Sequence, residues 1–139
     1  MIKFIHSELA AGGWSKYSLE EQLGNVGSDV DRAIRWKEKG NQEYFQKAFD
    51  RAIELMDLTI MDKRWKKRLR ELCRARDVVC DYLVGNNEYG STAASLSKYF
   101  YHYALAARHK KDFESATKEL TEVLKKFNKA GKLKNSRGM

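Results

Sequence analysis

The chain contains no proline. No residue therefore lacks a backbone N–H, and no ring forces a helix to stop, so long unbroken helices are permitted throughout. With only nine glycines and much Ala, Leu, Glu, Lys and Arg, the composition predicts an all-α protein. Cysteine is scarce too. Cys73 and Cys80 lie about 10 Å apart along a helix axis, too far to bridge each other. They are expected as small apolar core residues of a reduced, cytoplasmic protein. His6, His102 and His109 are scattered and share no metal-ligand spacing with the cysteines, so neither metal nor cofactor is expected. Apolar runs are short, which predicts no membrane span. Catalysis lacks its usual groupings: there is no Ser-His-Asp set, no Cys-His pair and no opposed carboxylates. A non-enzymatic protein is the expectation.

Positive charge is present in excess. The 139 residues carry a net charge of +8 with a pI near 9.5, which favours an anionic partner such as RNA or DNA, although solubility alone could account for it. The excess gathers in DKRWKKRLRELCRARDVVCDYLVG, read as one helix from an Asp62 cap to a left-handed Gly85. Trp65, Leu69, Leu72, Cys73, Val79, Cys80 and Leu83 form its apolar stripe. Lys63, Arg64, Lys66, Lys67, Arg68, Arg70 and Arg74 cover its other faces, and Glu71 is the only acidic residue between Lys63 and Arg76. Cations at a helix N-terminus oppose the macrodipole, and phosphate neutralisation would compensate them. The alternative is a solvated face. An exposed Trp65 would stack on a base, but its phase places it in the core.

Arg76 interrupts the apolar stripe. It is read either as an ion pair with Asp29, Asp57 or Glu88, or as a pocket residue beside Glu88 and Tyr89 that accepts a phosphate or carboxylate. Arg32 and Arg35 face outward by phase and would extend the cationic surface.

Upstream, Ser18-Leu19-Glu20-Glu21 is a capping box that opens a first helix ending at Gly40. Gly24 and Gly27 interrupt it at about 1 kcal/mol each relative to alanine. Close approach of a neighbouring backbone, or of a phosphate, would offset that. A second helix runs from about Asn41 to Ile60. After GNNEYGST, Ser91 or Thr92 caps a fourth with the stripe Ala93, Leu96, Phe100, Tyr103, Ala104 and Ala107. Phe113, Ala116, Leu120, Val123, Leu124 and Phe127 form a further stripe, on a separate helix or an extension of the fourth. The expected fold is an antiparallel up-down four-helix bundle with that additional C-terminal helix. The expected domain is 1–129, with 1–16 as a loosely held arm and 130–139 as a flexible basic tail. The last stripe needs a cover, so a homo-oligomer is expected.

KEKGNQEYFQKAFDRAIELMDL resembles half of a tetratricopeptide unit. KKDFESATKELTEVLKK resembles the other half less closely, but the two are separated by more than one repeat of about 34 residues. Over residues 14 to 109, SLEEQLGNVGSDVDRAIRWK, AFDRAIELMDLTI, RLRELCRARD and NEYGST…YFYHYALAAR resemble an uncharacterised family of small prokaryotic all-helical proteins. The fold is similar to HEPN-type four-helix bundles, which implies an RNase or a substrate-binding partner of a nucleotidyltransferase. RNases of that type place a histidine some five to seven positions after an arginine. Here Arg108 and His109 are adjacent and His102 has no arginine closely before it, which argues against nuclease activity. Size, charge and lack of catalytic residues are also similar to accessory subunits of diversity-generating reverse transcriptases. The expected function is an accessory or adaptor protein that docks RNA or DNA backbone on Lys63–Arg74 and binds a protein partner. A purely structural interaction module is the other alternative.

Overall fold

A computed structural model describes residues 5–137, with side chains from 5 to 129. All regular structure among them is helical. The chain divides into two compact units, Met1–Ala107 and Arg108–Met139, so the first unit closes well before residue 129.

Helix α1 spans Leu19–Glu38. Ser18 Oγ accepts from the Glu21 N–H at 3.2 Å, and Glu21 Oε1 accepts from the Ser18 N–H at 3.3 Å. These bonds satisfy donors that the first turn leaves free. At the other end Gly40, at φ +73°, lets the chain turn back. The Asn41 and Gly40 N–H groups then donate to the carbonyls of Trp36 and Lys37, closing the helix in a Schellman motif. Leu23, Val26, Val30 and Ala33 are fully buried along one face.

Helix α2, Gln42–Met61, is capped by Asn41 Oδ1, which accepts from the Tyr44 N–H at 3.1 Å. It buries Phe45, Ala48, Ala52, Leu55 and Met56. The expected third helix is divided in two: a tight three-residue-per-turn segment, Lys63–Arg68, precedes helix α3, Leu69–Leu83. Asp62 does cap the segment, its Oδ1 accepting from the Arg64 N–H at 3.1 Å. Trp65 (φ −102°, ψ 22°) and Arg68 (φ −107°, ψ 7°) leave the helical region, so the α-helical phase restarts at Leu69. Leu72, Val79 and Leu83 are buried as expected, whereas Leu69 (44 % exposed) and Cys73 are turned to solvent.

Gly85 also departs from expectation, because its φ is not positive. A Cβ there would lie 2.9 Å from the Asp81 carbonyl oxygen, so crowding, not handedness, calls for glycine. The end of α3 is further held by Lys37 Nζ, which donates to the carbonyls of Tyr82 and Leu83 at 3.1 and 2.9 Å. A cation there complements the C-terminal end of the dipole.

Helix α4 spans Ala93–Arg137, so residues 108 to 112 do not interrupt it. Thr92 Oγ1 accepts from the Ser95 N–H, and Ser95 Oγ accepts from the Thr92 N–H. Within the first unit, Cβ atoms added at Gly24 and Gly27 would meet Ala104 Cα at 3.0 Å and Phe100 Cβ at 2.4 Å. The glycines of α1 therefore seat α4 by close approach. Ser97 Oγ donates to Asp31 Oδ1 at 2.6 Å along the same contact.

Residues 5–16 are docked, which corrects the loose-arm expectation where the structure describes it. The Ile5 and His6 N–H groups donate to the Glu54 carboxylate at 2.7 and 2.6 Å. Trp14 is buried and its Nε1 donates to Thr59 Oγ1 at 3.0 Å. Residues 1–4, and the side chains of the tail from 130 onward, lie outside the described residues. Among the described residues, no helix is long and apolar enough to cross a membrane.

Candidate nucleic-acid interface

Gln22, fully buried on α1, organises the basic segment from beneath. Its Nε2 donates to the Trp14 carbonyl at 2.9 Å and to Asp62 Oδ2 at 3.2 Å. Its Oε1 accepts from the Trp65 indole at 2.9 Å. A buried amide with these three partners is satisfied, and it pins the segment before α3 to the core. Trp65 is accordingly half-buried, with one ring face covered by the Arg64 guanidinium, whose central carbon is 4.4 Å from the ring centroid. Its indole anchors the segment to the core, with its N–H already taken.

The expected cations then fall into two groups. Arg64 pairs with Asp62 at 2.7 Å and also donates to the Tyr17 carbonyl. The hydrogen bond from Arg64 holds the Asp62 carboxyl below its ordinary range, while that carboxylate raises the Arg64 pKa. Arg68 grips Glu71 with two nitrogens at 2.9–3.0 Å and donates to Tyr103 Oη at 2.8 Å. By contrast, Lys63, Lys66, Lys67, Arg70 and Arg74 are exposed. None of these five holds an ion pair among the described residues. Lys63 and Lys66 are one tight turn apart, and Arg70 and Arg74 lie one above the other on α3.

The division of the segment reduces the electrostatic cost expected for one long helix. Only Arg70 of the seven lies in the first turn of α3, and Glu71 accompanies it there, where a carboxylate is favoured. Glu71 also ties α3 to α4, accepting from Tyr103 Oη at 2.7 Å and from Tyr99 Oη at 3.3 Å. The Tyr103 hydrogen bond, then Arg68, depresses the Glu71 pKa. Burial, reinforced by the neighbouring tyrosine and Glu71, pushes the Tyr99 hydroxyl up. Burial likewise raises Tyr103, with the Glu71 hydrogen bond next. Beside this network an apolar cleft of about 240 Å³ is lined by Arg74, Ala75, Val78, Leu96 and Phe100.

Arg76 pairs with Asp57 of α2, Nε to Oδ1 at 2.7 Å. Glu88 and Tyr89 lie apart from that pair, in a turn held by Asp81. Its carboxylate accepts from the Glu88 and Tyr89 N–H groups at 2.8 and 3.0 Å. Both side chains are exposed. Arg32 pairs with Asp29 at 2.9 Å and borders a separate polar cleft of about 300 Å³, with His6, Asn25 and Arg51. Arg35 is exposed on α1. Neither cysteine is fully buried. No cluster of three or more potential metal ligands occurs among the described residues.

Sequence reading missed Gln22, and it placed Glu71 on the basic stretch and Tyr103 on the fourth helix without the bond between them. The signal available was a glutamine in phase with the apolar positions Leu19, Leu23 and Val26, a placement that burial tolerates only with partners. No protein-family model, curated protein or solved structure matches this chain.

Proposed function

We propose that the protein is a non-enzymatic accessory protein that binds nucleic-acid backbone along Lys63–Arg74. One observation carries this reading. Within twelve residues, five exposed cations lack a carboxylate among the described residues, whereas Arg64, Arg68 and Arg76 each have one. A merely solvated basic face gains a little from pairing its charges, and phosphates would supply the missing partners. Gln22 and Trp65 hold the segment in place, which lowers the ordering cost of binding.

The supporting scaffold is an antiparallel up-down four-helix bundle. Gly24 with Ala104 and Gly27 with Phe100 run in opposite senses, as do Arg68 with Tyr103 and Glu71 with Tyr99. The free thiols of Cys73 and Cys80 suit a reducing cytoplasm. The resemblance to reverse-transcriptase accessory bundles suggests a place in a nucleoprotein complex with a protein partner. The alternative RNase or nucleotidyltransferase-partner reading has less support, because Arg76 is committed to Asp57 and the Glu88–Tyr89 turn to Asp81.

Fluorescence anisotropy with a mixed-sequence single-stranded RNA and a DNA duplex tests the proposal. Five neutralised phosphates give a log–log salt slope of about −3.5 for single strands and about −4.5 for duplex. Charge reversal at Lys66, Lys67 and Arg70 is expected to abolish binding at low salt. Binding and slope unchanged in that variant would refute the interface.

A further inference from the structure

The second compact unit leaves a stripe uncovered. Phe113, Leu120, Val123, Leu124 and Phe127 are 72, 59, 61, 51 and 74 % exposed, respectively. Every described side chain from 108 to 129 is exposed. Phe113, Ala116, Leu120, Val123 and Phe127 alternate at three and four residues, the spacing of a coiled-coil seam. Acidic Asp112, Glu114, Glu119 and Glu122 intersperse with the lysines here, so the segment carries both signs of charge, which suits pairing with a second copy of itself. We infer that residues 108–129 self-associate with the same segment of a second copy, as an antiparallel two-helix seam.

Side-chain size and charge select the direction. In a parallel pair each seam residue faces itself, so Phe113 and Phe127 crowd their own copies while Ala116 faces Ala116 and leaves a void. The flanking pairs would be Asp112 with Thr117 and Glu119 with Leu124, which offer no ionic attraction. In an antiparallel pair with Leu120 opposite Val123, Ala116 lies opposite Phe127, so small meets large in both directions. That register also sets Glu119 beside Lys126 of the second copy, and the two-fold axis repeats the pair. Sliding by one heptad places Glu119 against Glu119 and His109 against Phe127, a like-charge contact and a polar intrusion.

The area is modest. Four partly exposed apolar side chains, Leu120, Val123, Leu124 and Phe127, at roughly 100 Å² each on two copies bury about 800 Å², the size of a weak interface. The association is therefore expected to depend on concentration.

Sedimentation and light scattering of the full chain should show a monomer–dimer equilibrium below about 100 µM. Leu120→Glu should give monomers with an unchanged urea midpoint for the first compact unit. Glu119→Lys, which sets two lysine pairs facing each other, should weaken the dimer by about tenfold, as should Lys126→Glu. The double variant, Glu119→Lys with Lys126→Glu, should restore dimerisation. A chain monomeric throughout that range, or a dimer insensitive to Leu120→Glu, would overturn the interface. Failure of the double variant to recover would overturn the antiparallel register even if Leu120→Glu itself disturbs folding.

Discussion

Replacing Gly27 by alanine sets two contributions of opposite sign against each other. In an isolated helix the change is favourable by about 1 kcal/mol, because glycine loses more backbone freedom on folding. In this fold the new Cβ would lie 2.4 Å from Phe100 Cβ and 3.2 Å from its Cγ. Carbon atoms attract best at about 3.5–4.0 Å, so α4 has to withdraw by about 1 Å. The obstacle is a Cβ fixed to the α4 backbone, which no rotamer change can move. Withdrawal also loosens Phe100 and Leu96, now 2 and 4 % exposed. Overpacking of this kind costs about 1–3 kcal/mol, and a rigid obstacle places it at the upper end. The net expectation is a loss of about 1–2 kcal/mol, a fall in Tm of roughly 5–10 °C for the first unit. Urea and thermal unfolding measure both quantities. Gly24→Ala, whose Cβ would meet Ala104 Cα at 3.0 Å, should cost less. A Gly27→Ala protein as stable as the parent, or more so, would refute the close α1–α4 approach.

Gln22→Leu strands the Trp65 indole N–H inside the fold, while the Trp14 carbonyl keeps the Tyr17 N–H as a donor. At about 1–3 kcal/mol for one unsatisfied group, less the apolar gain, roughly 1–2 kcal/mol should be lost in urea unfolding, with faster amide exchange in residues 65 to 69. An unchanged urea midpoint, with no faster exchange in residues 65 to 69, would show that Gln22 does not hold the segment. Acid should destabilise the protein through Asp62 and Glu71, whose folded pKa values lie below the ordinary 3.8 and 4.5. Their contribution is present above those ordinary values and is lost as pH falls through the depressed folded ones. Glu71→Gln should therefore lower the urea midpoint at neutral pH and flatten its decline in acid. Parallel curves for variant and parent would exclude Glu71 as a source of the dependence.

Features set within four or five residues could be read directly from the order of residues. The Ser18 box, the Gly40 stop and the Asp62 cap are local exchanges between a side chain and the nearest backbone groups. They form much the same way in any surroundings. The two glycines of α1 signalled a close neighbour because their cost demanded one. Arg76 signalled a carboxylate for the same reason, and Asp57 was among the three candidates. All-helical character followed from composition and the absence of proline.

Long-range choices were beyond that reading. Trp65 and Gln22 are 43 positions apart, and only packing brings the indole to the amide. That packing draws Trp65 inward, interrupts the expected third helix and restarts its phase at Leu69, which turns Leu69 and Cys73 to solvent. Arg64 and Arg68 find their carboxylates close by in the chain, but their further bonds, to the Tyr17 carbonyl and to Tyr103 Oη, span 47 and 35 positions and exist only in the fold. Periodicity placed the positive charge on one stretch of chain. The burial of a single glutamine, with the polar partners it required, decided how that stretch is held.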